Sequence, residues 1–551
     1  MEFYRFIHIN LHFRDTGSDK FCGFRIFSYL CRKFSYKEQQ NLTIMSNKQP
    51  LFQRFLNGVE VAGNKLPHPA MLFALFALII IVISHIAALM GVSVRLPGAE
   101  ADTYVQGVGI AYIFTNAVSN FVNFAPLGTV LVAMLGVGVA EHTGLISALL
   151  RKVMLGSSKK FITVVVVFVG IFSSIAENAG YLIVIPLGAA IFYAIGRHPL
   201  AGLAAAFFGV SAGFAANISL TLSDVILAGI TEQAARMLDP DIVVLATSNL
   251  FFMWAATIIL TIIGYFVTEK IVVPKLGEYK PDGDIDVAEI SSELSAEEKR
   301  GLRFAGWSFL AAVAFILLLV VPESAPLRNP ETGAILDRHS PFMGGLVAVI
   351  MILFLAPAIG FGIGARTIKT NKDVVNSMTK SMQSMGAYLV LAFFAAQFIN
   401  YFAHSNLGVV LSMNGSVFLQ NTGLTGVPLI LSFVLLCAFL NMFMGSSSAK
   451  WLIMAPIFVP MFMQLGYDPA FTQLAFRVGD TVTNIITPMM SFFALVVVFA
   501  EKYDKNAGIG TIISMMLPYS IIALLGLSAA LIVWYLTGLP IGIGGYIHLP
   551  Y

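Results

Sequence analysis

Charge is what this chain has least of. Only 11% of its 551 residues are Asp, Glu, Lys or Arg, against 57% hydrophobic residues, and the mean hydropathy is +0.82. A chain of that composition requires a bilayer as its solvent. Cysteine is nearly missing: Cys22 and Cys31 stand near the N-terminus and Cys437 inside an apolar run, which implies neither a disulfide framework nor a zinc site. His85, His142, His198 and His404 are scattered without ligand spacing. There is no G-x-x-x-x-G-K-[ST], so nothing points to ATP hydrolysis, and no Ser/His/Asp set falls on neighbouring faces, so no enzyme is expected. The net charge of +3 is spread between apolar runs rather than gathered in one patch, which leaves no nucleic-acid footprint.

What is present is a succession of apolar runs, at 70–94, 126–149, 161–195, 200–222, 246–269, 303–321, 342–364, 382–402, 426–444, 452–465, 484–500 and 512–537. A span needs about 20 residues. Several runs are too short, or too interrupted by Gly, Pro and Ser, to be simple rods, so broken spans are expected. Basic residues orient the chain. Arg151 to Lys160, Lys270 to Arg303, Arg366 to Lys380, and Lys502 with Lys505 mark the cytoplasmic side, while 95–125, 223–245, 322–341 and 404–425 are poor in Lys and Arg and face outward. The alternation fits an all-α, multi-pass protein of the bacterial inner membrane. Residues 1–64 read as a lead-in. Their first stretch lacks the apolar core and cleavage site of a signal peptide, and "MSNKQP" from Met45 reads as an ordinary polar start, so 1–44 are expected to be an extension upstream of the true beginning.

The chain also repeats itself. Shifted by 270 positions, "AENAGYLIVIPLGAAIFYAIGRHPLAGLAAAFFG" (176–209) aligns with "SSSAKWLIMAPIFVPMFMQLGYDPAFTQLAFRVG" (446–479) without a gap; Pro186/Pro456, Gly196/Gly466, Pro199/Pro469 and Gly209/Gly479 are among the identities. The charge map has the first copy enter from the cytoplasm and the second from outside. That is an inverted-topology repeat, the architecture of secondary transporters, with the substrate site where the broken helices of both halves meet. The halves are expected at 65–273 and 303–551, joined by a cytoplasmic linker, 274–302. The linker's "DGDIDVAEISSELSAEEKRGLR" (282–303) reads as a solvated amphipathic helix.

"GSSSAKW" and its counterpart "IAENAGY" then read as the tips of two re-entrant hairpins pointing into one cavity. Glu177, Asn178, Ser446, Ser447, Ser448 and Lys450 would supply donors and acceptors beside unpaired backbone. The plainer reading is that the serines bond back to carbonyls of a bent helix, and that Lys450 snorkels from a tip. After each hairpin comes a polar break, "SAGFAANISLTLSD" (211–224) and "RVGDTVTNIITPMM" (477–490). Asn217, Thr483, Asn484 and Thr487, with carbonyls freed by Pro488, suit a hard cation such as sodium, and a proton carrier could use the same place. Arg477 and Asp480 share a helical face, either as a mutual structural ion pair or as handlers of substrate and protons. Asp224 is either a helix cap at the outer surface or an exchangeable carboxylate. Trp451 and Tyr181 either stack an aromatic substrate or anchor at the interface.

"NKLPHPAMLF", "GRHPLAGLAAAF", "SSSAKWLIMAPIFVPMFMQLGYDPAF" with "FRVGD", and the closing "WYLTGLPIGIGG" resemble the AbgT family of p-aminobenzoyl-glutamate transporters from about Lys65 to the C-terminus, most of all its branch associated with export of sulfonamide antimetabolites. The resemblance implies a homodimer with nine spans and two hairpins per protomer, coupling to protons or sodium without a cofactor, and a small aromatic acid, amide or sulfonamide as substrate. The family's important positions fall on Asp224, Ser448, Trp451, Pro469, Arg477, Asp480 and Pro488. Importer-type members lack a charge where Lys450 stands and differ at "AENAGY", so the importer's substrate does not carry over directly. The expectation is a proton-coupled exporter of sulfonamides or p-aminobenzoate-like antimetabolites; the alternatives are sodium- or proton-driven uptake of p-aminobenzoyl-glutamate and, from another class, a passive channel.

Overall fold

The computed structural model describes residues 67–95, 101–175, 180–279, 294–337 and 340–549. The lead-in with its expected start at Met45, Glu177 and Asn178 of the first tip, and the linker from 280 to 293 lie outside the described residues. The helices in chain order are α1 (Pro69–Leu89), α2 (Ile110–Val122), α3 (Ala125–Thr143), α4 (Leu145–Leu155), α5 (Ile162–Phe172), α6 (Ile185–Ala194), α7 (Pro199–Ala212), α8 (Leu222–Ala235) and α9 (Leu250–Val267). There follow α10 (Ala296–Val320), α11 (Leu346–Ala365), α12 (Asn371–Ser384), α13 (Gly386–His404), α14 (Leu407–Asn421), α15 (Gly426–Asn441), α16 (Ser447–Gln464), α17 (Pro469–Thr483), α18 (Phe493–Glu501) and α19 (Ile509–Thr537). A small antiparallel ribbon pairs Ser93–Val94 with Thr103–Tyr104.

The apolar runs sort into two kinds. Among the described residues seven helical stretches are long and apolar enough to cross a membrane: α1, α2 running into α3, α9 with the turns that follow it, α10, α11, α13 and α19. Several keep bulky apolar side chains exposed, such as Met71 and Leu78 on α1 and Trp307 and Leu318 on α10, which suits contact with lipid. The other kind is short and buried. Every residue of α7 and of α17 is buried, so the polar groups of α17 meet protein rather than lipid. Around them, α10 packs on α11, α11 and α12 pack on α3, and α8 lies against α3 on one side and α16 on the other. The amphipathic stretch expected within 282–303 is not a separate helix where it is described. Ser295 caps α10 in a reciprocal box with Glu298, and the same helix continues into the span, docked on α4 by an Arg151–Glu298 ion pair.

Residues 270 apart play the same parts. Pro199 and Pro469 both open a helix, capped by the side chains of His198 and Asp468, whose acceptors take Leu200 N–H and Ala470 N–H. Gly196 and Gly466, one turn earlier, both adopt positive φ, 78° and 85°. Gly209 on α7 is pressed against the Val167 carbonyl and Gly170 of α5; Gly479 on α17 is pressed against the Val434 carbonyl and Cys437 of α15. Val434 lies 267 positions after Val167, whereas Gly479 lies 270 after Gly209, so the second copy has three more residues between these matching contacts, all of them before Ser446.

A Cβ at Gly209 or Gly479 would overlap backbone of the crossing helix. Gly479→Ala and Gly209→Ala are each expected to destabilise the protein by about 1–3 kcal/mol, read as a lowered melting temperature of the purified protein in detergent. Alanine at Gly109, whose Cβ would meet nothing, is expected to leave it unchanged.

Candidate functional site

The second break begins later than the sequence implies. α17 stays regular through Thr483, so Arg477 and Asp480 sit on intact helix, and the irregular stretch runs from Asn484 past Pro488 to Phe492. Arg477 and Asp480 do not pair with each other. Arg477 reaches 253 positions back to Asp224, with Nη1 2.5 Å from Oδ1. Its Nη2 donates to the Phe214 carbonyl at 2.6 Å, and the guanidinium lies 5.4 Å from the Phe214 ring centroid. Asp224 is indeed a cap residue, but a wholly buried one. It stands in the first turn of α8, where its Oδ2 accepts from Thr221 N–H at 2.6 Å and from the Thr221 hydroxyl at 2.8 Å.

Asp480 pairs instead with Lys450, whose Nζ is 2.5 Å from Oδ1; the two side chains are 1% and 0% exposed. Lys450 therefore does not snorkel. Its ammonium also donates to Asn441 Oδ1, and Ser447 Oγ donates to Asp480 Oδ2 at 2.5 Å. Four charges are thus buried as two pairs, each with further hydrogen bonds to its carboxylate, the condition under which buried ions are tolerable.

Between the two pairs lies a cavity of about 240 Å³. Ser446, Ser447, Ser448 and Asn484 line it from the second half, Ser174, Tyr181, Ser211 and Thr221 from the first. Its wall carries an aromatic pair that joins the halves: the Tyr181 and Phe492 rings stack at 4.5 Å and 8°. The Tyr181 hydroxyl shares a hydrogen bond with Ser211 Oγ at 3.1 Å, and Met490 lies beside both. Of the tip serines, Ser446 caps α16 through the Ala449 N–H rather than bonding back to a carbonyl. A larger cavity, about 650 Å³ between α4, α10 and α11, has walls such as Leu149, Phe309, Leu353 and Phe354 with Ser219 as its hydroxyl, and so lacks convergent polar groups.

Other expected residues lie away from the cavity. Trp451 is fully buried, its indole N–H donating to Thr231 Oγ1 at 2.9 Å and its ring stacked on Phe476 at 4.6 Å, so it neither faces the cavity nor anchors at an interface. Pro469 opens α17 at its far end. Asn217 braces the first tip, with Nδ2 donating to Ser174 Oγ at 2.8 Å and to the Ile171 carbonyl; Thr487 braces the second, donating to the Met442 carbonyl at 3.0 Å. Thr483 donates to the Ala438 carbonyl. Of the four expected ion ligands, Asn484 alone lines the cavity. The residue that sequence reading missed is Asn441, whose Nδ2 lies 2.7–2.9 Å from Asp480 O, Thr483 Oγ1 and Asn484 Oδ1. A lone asparagine closing an apolar helix was its signal.

The sequence pattern of the AbgT putative transporter family matches residues 54–549. The chain belongs to that family. It is a polytopic membrane transporter and not an enzyme, consistent with the bacterial inner membrane. The p-aminobenzoyl-glutamate transport protein of Escherichia coli (strain K12) is 38% identical over 495 residues, 89% of this chain and 96% of that protein. Two crystal or solved structures are similar over their whole length. MtrF of Neisseria gonorrhoeae, described as illuminating a class of antimetabolite efflux pumps, is 47% identical with a TM-score of 0.83 over 89% of this chain. The Alcanivorax borkumensis YdaH transporter, described as having an unusual topology, is 40% identical with a TM-score of 0.82 over 86%.

Removing one member of a buried pair strands the other. Arg477→Met or Asp224→Asn is expected to cost about 3–5 kcal/mol of stability. The double variant should lose clearly less than the two together, and additive losses in unfolding measurements would mean that the pair is not coupled.

Proposed function

We propose that this transporter is proton-coupled and exports p-aminobenzoate-like antimetabolites, sulfonamides among them, from the cytoplasm. One arrangement carries the reading. Two hydroxyls on the cavity wall, Thr221 and Ser447, each donate to a buried carboxylate, Asp224 and Asp480, whose charge is held on its other side by Arg477 and Lys450. A proton entering the cavity is one hydroxyl away from either carboxylate, and protonating one discharges its ion pair and frees a cation, which is the kind of local charge change that biases a two-state element. Neither carboxylate has to leave its place to be reached.

The substrate class follows from the wall. An aryl ring fits against the Tyr181–Phe492 stack, and the hydroxyls of Ser446 and Ser448 suit carboxylate or sulfonyl oxygens. Export is favoured by the likeness to MtrF. In this reading the halves 65–273 and 303–551, joined by 274–302, form the inverted repeat, the two tips belong to hairpins entering from opposite sides, and two protomers assemble as a homodimer. Import of p-aminobenzoyl-glutamate, driven by sodium or protons, is the second reading, favoured by the likeness to the Escherichia coli protein.

Proteoliposomes decide between them. Under an imposed pH gradient, labelled sulfonamide is expected to move saturably, and Asp480→Ala to abolish that movement. Sodium-driven movement of p-aminobenzoyl-glutamate alone would establish the second reading instead, and unsaturable flux indifferent to both gradients would mean a channel. Within the exporter, Tyr181→Ala is expected to raise the KM roughly three- to tenfold, whereas Trp451→Phe should leave KM in place and lower stability by about 1 kcal/mol through its lost hydrogen bond to Thr231.

A further inference from the structure

Lys450 has no counterpart in the first half. The position 270 residues earlier is Gly180, where a Cβ would overlap Ser173 Oγ, so the first tip has no room for a side chain there. In the second tip the ammonium sits among oxygens. Asp480 Oδ1 is 2.5 Å away and Asn441 Oδ1 accepts a hydrogen bond from it. The Asn441 amide is not free to turn: its nitrogen is engaged by Asp480 O, Thr483 Oγ1 and Asn484 Oδ1, which leaves its oxygen toward Lys450. A fixed amide oxygen and a carboxylate oxygen, buried beside the end of one helix and the start of another, form a donor set for a hard monovalent cation.

We propose that Lys450 is a tethered cation, holding with its own ammonium the oxygen-lined place in the second tip that a sodium ion would otherwise take. Because the ammonium is part of the chain, its effective concentration at Asp480 cannot be matched by free sodium. The second half therefore carries its cation permanently and has no sodium to exchange. The proposal rests on reading this tip as part of the coupling centre, and it deepens that reading by assigning which cation is resident there.

The test is a melting experiment on the purified full chain in detergent, in sodium chloride and in choline chloride at equal ionic strength. Wild type is expected to melt at the same temperature in both. Lys450→Ala leaves the Asp480 carboxylate without a partner and is expected to melt lower in choline and to regain about 2–5 °C in sodium. Adding Asp480→Asn to Lys450→Ala should remove that response. Sodium stabilising wild type as much as Lys450→Ala would overturn the proposal, as would a folded Lys450→Ala indifferent to sodium. Should Lys450→Ala not fold in either salt, equilibrium dialysis of labelled sodium against wild type decides: saturable binding that Asp480→Asn abolishes overturns the proposal, and its absence sustains it. None of these readouts requires transport. A protein that exports nothing can still pass them, and one that exports sulfonamide can still fail them.

Discussion

Charges without water must find each other, and in this molecule that requirement converges on one helix. α17 is buried along its whole length and carries both Arg477 and Asp480, one turn apart. Each looks in a different direction. Arg477 ties α17 to the start of α8 and to the Phe214 carbonyl in the first half of the chain, while Asp480 ties it to α16 and, through its backbone carbonyl, to Asn441 at the end of α15. An isolated buried charge would cost several kcal/mol, so the Arg477–Asp224 pair ties the two halves of the sequence together and the Lys450–Asp480 pair ties α16 to α17 within the second. The cavity lies beside them, and two of its wall hydroxyls, Thr221 and Ser447, complete the hydrogen bonding of the carboxylates.

Much of this was legible as pattern and little of it as pairing. Composition called for a bilayer, basic residues oriented the runs, and the spacing of 270 picked out Pro199 with Pro469 and Gly209 with Gly479, which do take matching roles. Partner choice was not legible. Arg477 and Asp480 lie close on a helical projection, yet their partners are 253 and 30 positions away, and only tertiary packing brings Asp224 and Lys450 to α17. Trp451 misled for a related reason. Next to a polar tip an indole looks available, but Trp451 lies one turn beyond Ser447 and Ser448 on α16, where its ring meets Thr231 and Phe476 instead of the cavity those serines line. The aromatic that does face the cavity is Tyr181, paired with a Phe492 that nothing in the sequence set apart.

The short buried helices and the long exposed ones have different work. α1, α10 and α13 present apolar side chains outward and need little more than length and hydrophobicity. Helices beside the cavity, such as α6 and α8, are short, and the chain is irregular from Asn484 to Phe492. Their loose ends are taken up by side chains, Asn217 on one side and Asn441 and Thr487 on the other, so irregular backbone at depth is made tolerable by protein rather than by water. A p-aminobenzoyl-glutamate transport protein and a protein described as an antimetabolite efflux pump are both similar to this chain over most of its length. Direction is then a property of gradients and of the relative free energies of the facing states, not of the framework.

The three extra residues between Val434 and Ser446 bear on those relative free energies. In the proposed inverted repeat, two copies of equal length could exchange backbone conformations between the inward-open and outward-open forms, leaving side chains alone to tell the two forms apart. The three extra residues would break that equivalence in the backbone itself. The two facing states would then differ in free energy even without any gradient, and each 1.4 kcal/mol of difference sets a tenfold bias in occupancy. Under that reading the protein would rest facing one side of the membrane before substrate or ion arrives.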